Sequence, residues 1–167
     1  MILGLDSSTS TTGFAFFNGY EIVDAGFIDT SKLKTNKEKM ISIVSSLSDR
    51  PNMTQVTEIK LESALCGFQR GKTSQQVVIM LARFNGILEY VLNDTFKVPV
   101  SLISANTARK KLLGKAFIKG MTAKEYVKQE LPKHVLNLEK YIKLNKRGNY
   151  DKKNEDMMDA IVIAVTP

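Results

Sequence analysis

ILGLDSSTSTTGFAFF, Ile2 to Phe17, sets one carboxylate, Asp6, between an apolar run and six consecutive hydroxyl residues. A buried strand normally excludes Asp, because an unpartnered carboxylate away from water costs several kcal/mol or takes up a proton. Asp6 is therefore either a harmless strand-end residue or the holder of something positively charged. Around it the pattern reads as two strands, Ile2 to Asp6 and Gly13 to Phe17, joined by a polar turn. The pair Asn18-Gly19 supplies a tight hairpin turn into a third strand over Tyr20 to Ile28. The chain thus opens as an antiparallel meander.

Beyond the meander, Met40, Ile43, Val44 and Leu47 fall at helical spacing, and Pro51-Asn52 ends that helix. Val56 to Glu62 (VTEIKLE) predicts a fourth strand that again closes on a carboxylate. From Thr73 to about Asn93, Val77, Met80, Leu81, Phe84, Ile87, Leu88 and Val91 keep the 3.6-residue period, which predicts a long helix. Val98 to Ile103 follows as a fifth strand. Ser104 or Asn106 caps a helix through Leu113, and Thr122 caps another that ends before Pro132. Lys140 to Lys153 is polar enough to predict a mobile loop, and Asn154 to Val165 (NEDMMDAIVIAV) a final helix, half acidic and half apolar. A hairpin followed by helix-linked strands predicts an α/β domain: a five-stranded mixed sheet, its first three strands antiparallel, with helices on both faces.

With 167 residues and 43% hydrophobic content, residues 1–167 fit one globular domain. Apolar stretches fall far short of the roughly 20 residues a bilayer needs, and no basic segment precedes a long apolar one at the N-terminus, so the expectation is a cytoplasmic protein with no membrane partner. A single cysteine, Cys66, excludes an internal disulfide and a Cys-rich zinc site and reads as a small core residue. The net charge of +7 is regional: Lys97 to Lys153 holds 15 Lys and Arg against 4 Asp and Glu, a local +11, which leaves −4 elsewhere. Such a segment suits a polyanion, most simply nucleic acid, because each neutralised phosphate releases condensed counterions.

The carboxylates carry the chemistry. Asp6 closes the first strand and Glu62 the fourth, while Asp156 and Asp159, three residues apart, share one helix face. The Ala160 to Ala164 run after them can only pack against the protein, so the helix must lie on the sheet with its acidic start at one edge. If Asp6 and Glu62 emerge at that edge, four carboxylates converge, and their repulsion is relieved by a divalent cation. Hard oxygen donors select Mg²⁺ or Mn²⁺, and such ions clamp a scissile phosphate. Without convergence, these are ordinary strand-end and helix-start acids.

Three motifs in order bring a family into view: Gly4-Leu5-Asp6 with Thr12-Gly13-Phe14-Ala15, then Ile59-Lys60-Leu61-Glu62, then Asp156-Met157-Met158-Asp159-Ala160 ahead of the apolar run. The chain resembles the RuvC family of Holliday junction resolvases, of the RNase H-like superfamily, and most of all its small bacteriophage versions, which implies a host-cell cytoplasmic setting. The resemblance implies an RNase H-like fold and a two-fold symmetric homodimer that cuts branched DNA, four-way junctions above all. It implies paired Mg²⁺-dependent nicks, with Mn²⁺ substituting, that leave 5′-phosphates. Carried over by position, Asp6, Glu62, Asp156 and Asp159 are the catalytic metal ligands, and no other cofactor is implied. A junction with two equivalent strands to cut matches a C₂ dimer, and the long helix from Thr73 is a dimer-face candidate that serves equally as plain core. Arg70, Lys72, Arg109, Lys110, Lys111, Lys115 and Lys119 are the phosphate-contact candidates.

The chain departs from the family in two places. Ser7-Ser8 stands where the first turn often has Pro-Gly, and Leu65 where an aromatic follows the glutamate, with Phe68 close by. Glu155 neighbours the chosen Asp156, Glu58 reads as a surface strand residue, and His134 as exposed. Two rivals share the features above. GLDSSTSTTG would pass as the phosphate turn of an actin-like sugar kinase lobe, although nothing repeats that lobe. A non-catalytic branched-DNA-binding protein would keep the basic segment and the fold, but has no need of four acids.

Overall fold

The computed structural model describes residues 1–63, 75–136 and 138–167. Three strands, β1 (Ile2–Ser7), β2 (Thr11–Phe17) and β3 (Ile22–Asp29), form the meander. Helix α1 (Asn36–Ser48) leads to β4 (Glu58–Glu62), and α2 (Gln75–Phe96) to β5 (Val100–Ile103). Three helices follow: α3 (Ala105–Leu113), α4 (Ala123–Glu130) and α5 (Asn154–Val165). The five strands form one sheet in the order β3-β2-β1-β4-β5. β1 is antiparallel to β2 and parallel to β4, and β4 is parallel to β5. Parallel neighbours end on the same side, so the C-terminal ends of β1 and β4 come out together.

Alternation along β1 and β2 sends side chains to two faces. One core holds Leu3, Leu5, Phe14, Phe16, Ile59 and Leu61 from the sheet with Ile43 and Leu47 of α1 and Phe84, Leu88 and Leu92 of α2. The other packs Ala15, Ile22 and Ala25 against α3, α4 and α5. The mixed five-stranded sheet with helices on both faces is the architecture expected from the sequence.

Helix α5 lies against the sheet closely enough to demand glycine beneath it. A Cβ on Gly4 would collide with the Ala160 carbonyl and the Ala164 amide, and one on Gly13 with the backbone of Asp156 and Met157. Gly13 pairs with Asp6 across β1 and β2, so the Thr-Gly of the first motif is what lets the acidic start of α5 settle beside Asp6.

Several boundaries differ from expectation for local reasons. β1 runs on through Ser7 and β2 begins at Thr11, so the turn is only Ser8 to Ser10. The Ser8 hydroxyl closes it by accepting from the Thr11 and Ser10 amides. β3 starts at Ile22 rather than Tyr20, because the Asn18 side chain accepts from the amides of Tyr20 and Glu21 and makes a longer loop, with Gly19 at φ +96°. α1 begins earlier than its apolar spacing suggests because Thr35 and Glu38 form a reciprocal capping box. α3 is capped by Ser104, not Asn106. The polar 140–153 segment is tied down: the Tyr141 hydroxyl donates to the Ile22 carbonyl (2.7 Å), Leu144 bridges Tyr150, and buried Asn154 exchanges hydrogen bonds with the Lys143 backbone. Tertiary bonds supply the order that its composition does not predict.

Candidate functional site

The β1–β4 ladder runs in register from Ile2 with Glu58 to Leu5 with Leu61. Asp6 and Glu62 are the next residues on each strand. Their carboxyl groups hydrogen-bond to one another, and Asp159 and Asp156 of α5 are close enough for their fields to act on Asp6. The four acids picked out in the sequence therefore come to one edge of the sheet, from three segments that are distant along the chain.

Electrostatics at this edge are lopsided. Burial, the hydrogen bond with Glu62 and then the charges of Glu62, Asp159 and Asp156 hold the Asp6 proton well above the ordinary value of 3.8. Asp159 is buried, and burial raises its pKa against the opposing pull of Arg109. The Arg109 guanidinium donates to Asp159 Oδ1 through Nε (3.2 Å) and an Nη (2.8 Å). Lys124 Nζ lies 2.9 Å from Asp156 Oδ1 and 3.4 Å from Glu155 Oε2. Burial acts to lower the Lys124 ammonium, but its bond to Asp156 and the charges of Asp156, Asp159 and Asp6 outweigh that and raise it.

All four acids offer oxygen donors, and their repulsion is offset on one side only, by Arg109 and Lys124; that chemistry fits a hard divalent cation. Among the described residues, no three acids or imidazoles stand grouped to hold an ion in this arrangement, since Asp156 and Asp159 are turned onto Lys124 and Arg109.

A further polar residue sits beneath the acids. Asn85 of α2 is buried beside Phe84 and Leu88. The Ser7 hydroxyl donates to its Oδ1 and its Nδ2 donates to the Glu62 carbonyl, both at 2.8 Å. Neither Asn85 nor Lys124 stands out in the sequence. For Asn85 there is a signal, a lone amide on the stripe of Leu81, Phe84, Leu88 and Leu92; for Lys124 there is none beyond regional charge.

Next to Glu62, a cavity of about 720 Å³ runs along α3 and α4, lined by Asn106, Arg109, Phe117, Met121 and Thr122 among others. Of the phosphate-contact candidates, Lys110, Lys111, Lys115 and Lys119 are exposed, and Lys111 also donates to the Pro167 carbonyl (3.0 Å). Arg109 is instead buried on Asp159. Arg70 and Lys72 lie outside the described residues, as do Leu65, Cys66, Phe68 and the Thr73 start of the long helix. Glu58 accepts from the Ser101 hydroxyl (2.8 Å) and His134 is exposed. Among the described residues no helix is long and apolar enough to cross a membrane.

No protein-family model matches the chain. Two curated relatives do, both named crossover junction endodeoxyribonuclease RuvC and both from Ehrlichia ruminantium. The Welgevonden-strain protein is 28% and the Gardel-strain protein 29% identical over 171 aligned positions, covering 98% of this chain and 93% of the relative. Among solved structures, Thermus thermophilus RuvC matches with a TM-score of 0.61 at 16% identity, covering 98% of this chain and 90% of that one. The same protein in complex with Holliday junction substrate gives 0.61 at 13% identity, with 98% and 89% covered. The yeast mitochondrial Holliday junction resolvase Ydc2 gives 0.59 at 16% identity, with 98% and 75% covered. The chain is RuvC-like in sequence along almost its whole length, and its fold is that of RuvC.

Proposed function

We propose that this RuvC-like chain, as a single nuclease domain, is a metal-dependent, structure-selective DNA endonuclease that resolves four-way junctions, and related branches, by paired nicks leaving 5′-phosphates. The observation that carries the reading is the gathering of Asp6, Glu62, Asp156 and Asp159 at the shared end of β1 and β4. Those four would hold the metal, Mg²⁺ or Mn²⁺, which when bound supplies Lewis-acid polarisation of the scissile phosphate and a nucleophile from water.

The chain's own residues set the conditions. Asp6 must give up its proton to act as a ligand, so acid opposes metal binding. Arg109 compensates the buried charge of Asp159, and that ion pair would have to open for the carboxylate to reach a metal. Lys124, half-exposed beside Asp156, places a positive charge where a phosphate would approach. Exposed Lys110, Lys111, Lys115 and Lys119 continue that charge beyond the acids and would hold the DNA backbone. The apolar side chains that α2 leaves outside, Ile79, Met80, Ile87 and Tyr90, form the face on which a second copy would dock, supplying the second cut of a symmetric pair.

The sugar-kinase reading loses its phosphate turn. The Ser8 amide donates to the Thr11 carbonyl, and the Ser10 and Thr11 amides point at the Ser8 hydroxyl. Hence the turn closes on itself and offers no cradle of free N–H groups.

The test is a cleavage assay with Mg²⁺ on junction, fork and linear duplex DNA of one sequence. Paired nicks confined to branched DNA are expected. Tight Mg-ATP binding with no DNA binding would sink the reading.

A further inference from the structure

We propose that Asn85 is a positioning residue that sets the spacing of Asp6 and Glu62, and so tunes the affinity of the carboxylate edge for its cation. The inference rests on the metal-dependent reading above and goes beneath the carboxylates themselves.

The ladder that joins β1 to β4 has its last pair at Leu5 and Leu61. The two acids stand one residue past it: Asp6 is still paired to Gly13 of β2 and Glu62 to Ile103 of β5, but no β1–β4 pairing joins them to each other. Their carboxyl groups share a hydrogen bond while a proton is held there, and once both are ionised their like charges would push the strand ends apart. Besides that carboxyl–carboxyl contact, a carboxamide spans the gap. On the β4 side the partner is the backbone carbonyl of Glu62, which can only accept, so Nδ2 must face it (2.8 Å). That orientation leaves Oδ1 toward β1, where the Ser7 hydroxyl donates to it (2.8 Å). Ser7 directly follows Asp6, so each bond is made to, or next to, an acid.

The location gives the bridge its stiffness. Asn85 is 6% exposed, and Phe84 and Leu88 on either side of it along α2 are fully buried. An apolar side chain is the usual occupant of such a stripe, because a buried polar group is costly without partners and gains only a little from each hydrogen bond with them. The two halves of the device also explain one another. Ser7 is one of the two residues, with Ser8, that depart from the first-turn pattern of the resembling family, and its hydroxyl is what makes an acceptor on α2 useful.

Asn85→Leu removes both bonds and keeps the core filled; Ser7→Ala removes one. Each full-length variant is measured for Mn²⁺ binding by calorimetry without DNA, for thermal unfolding, for junction binding in EDTA, and for nicking against Mg²⁺ concentration. Outer-shell partners of metal ligands are commonly worth about 10- to 100-fold in metal affinity. Asn85→Leu is expected at the lower end, about tenfold weaker for Mn²⁺. Half-maximal nicking should move to correspondingly higher Mg²⁺ and be largely restored by excess metal, with junction binding unchanged. Ser7→Ala should shift in the same direction by less, and Ser7→Ala with Asn85→Leu should be no worse than Asn85→Leu alone. A variant that loses thermal stability but binds Mn²⁺ as the parent does would reduce Asn85 to a structural residue and overturn the proposal. Should Asn85→Leu not fold, Ser7→Ala decides alone, and unchanged metal affinity there overturns it equally. A parent protein that neither binds Mn²⁺ nor nicks branched DNA would instead overturn the nuclease reading, and the tuning role with it.

Discussion

Helices α2 and α5 lie on opposite faces of one sheet and are used in opposite ways. From Met157 through Ala164, α5 is buried without interruption. It has no free face, and its seat over Gly4 and Gly13 leaves no slack. α2 is almost twice as long, 22 residues against 12, yet it buries fully only Phe84, Asn85, Leu88 and Leu92. Ile79, Met80, Ile87 and Tyr90 remain from 41% to 71% exposed. The two helices answer to different demands. α5 is located to within a side chain because its first two turns deliver Asp156 and Asp159 to the edge. α2 needs only a narrow stripe for its own core, plus Asn85 to brace that edge from below, and the rest of its apolar surface is exposed, free for the second copy proposed above.

The largest effect should come from the edge itself. Asp6→Asn or Glu62→Gln is expected to lower nicking by about 10³-fold or more, the scale of several kcal/mol of lost transition-state stabilisation, while junction binding in EDTA stays within a few-fold. Asp6→Asn carries a second signature. Because the folded protein raises this carboxyl above 3.8, its contribution to stability is whole below that pH and is lost as pH rises through the folded value. The Asn variant should therefore melt higher than the parent at neutral pH without metal, and the gain should vanish on acidification below 3.8. Mg²⁺-dependent nicking that persists in either variant would remove the acids from the centre of the picture.

Much of this edge was legible in the sequence because it depends on local pattern. A strand that ends on Asp6, another that ends on Glu62, and an Asp-x-x-Asp start to an apolar helix are each visible in one stretch, whereas that the first and fourth strands are parallel neighbours came only from the sheet order. The Arg109–Asp159 and Lys124–Asp156 pairs were not legible, since each joins residues 50 and 32 positions apart and any lysine in the basic segment would have looked equally available. Asn85 was overlooked for a different reason: one polar residue in an apolar stripe reads as an imperfection until its partners are known. The 140–153 segment was misjudged because its order comes from bonds such as Tyr141 to Ile22, which composition does not reveal.

The next effect tests how tightly α5 is held. Gly13→Ala puts a methyl group into the backbone of Asp156 and Met157, where nothing can rotate away. A loss of about 3 kcal/mol or more is expected, at or above the upper end of core overpacking, read as a lower denaturant midpoint at unchanged slope. Any surviving folded protein should nick poorly, because Asp156 moves with the helix. A neutral outcome would mean that α5 has slack after all, and the contrast with α2 would fail.

On the other side of the sheet, Ile87→Glu places a charge on the exposed part of α2, beside the groove of about 690 Å³ that Met40, Ile41, Val44 and Val91 line. Subunit stability should change by only about 0.5 kcal/mol, as for an exposed position. Sedimentation should show a dimer-to-monomer shift, and nicking should become unpaired. A variant that remains dimeric would place the second copy elsewhere and leave α2's apolar excess without a use.

The smallest effect is expected where α5 is tied down from outside. Lys153, just before its first turn, pairs with Asp29 at the end of β3, and Asp29 also accepts from the Ser31 hydroxyl (2.6 Å) and amide (3.0 Å). The Lys153 bond first, and then those from Ser31, hold the Asp29 carboxyl well below its ordinary value of 3.8. The sign is opposite to that of Asp6: this contribution is present above the ordinary value and is lost as pH falls through the lower folded one. Both side chains are about one-third exposed, so solvent screens the pair and Asp29→Asn should cost only about 0.5 kcal/mol at pH 7. That cost should shrink in 1 M salt, where screening acts within about 3 Å, and disappear in acid, with nicking unchanged. If the glycines beneath α5 set its position, a surface tether has little left to decide. A loss of nicking in Asp29→Asn with the fold intact would show that the tether, rather than the close seat on Gly4 and Gly13, aims the acids.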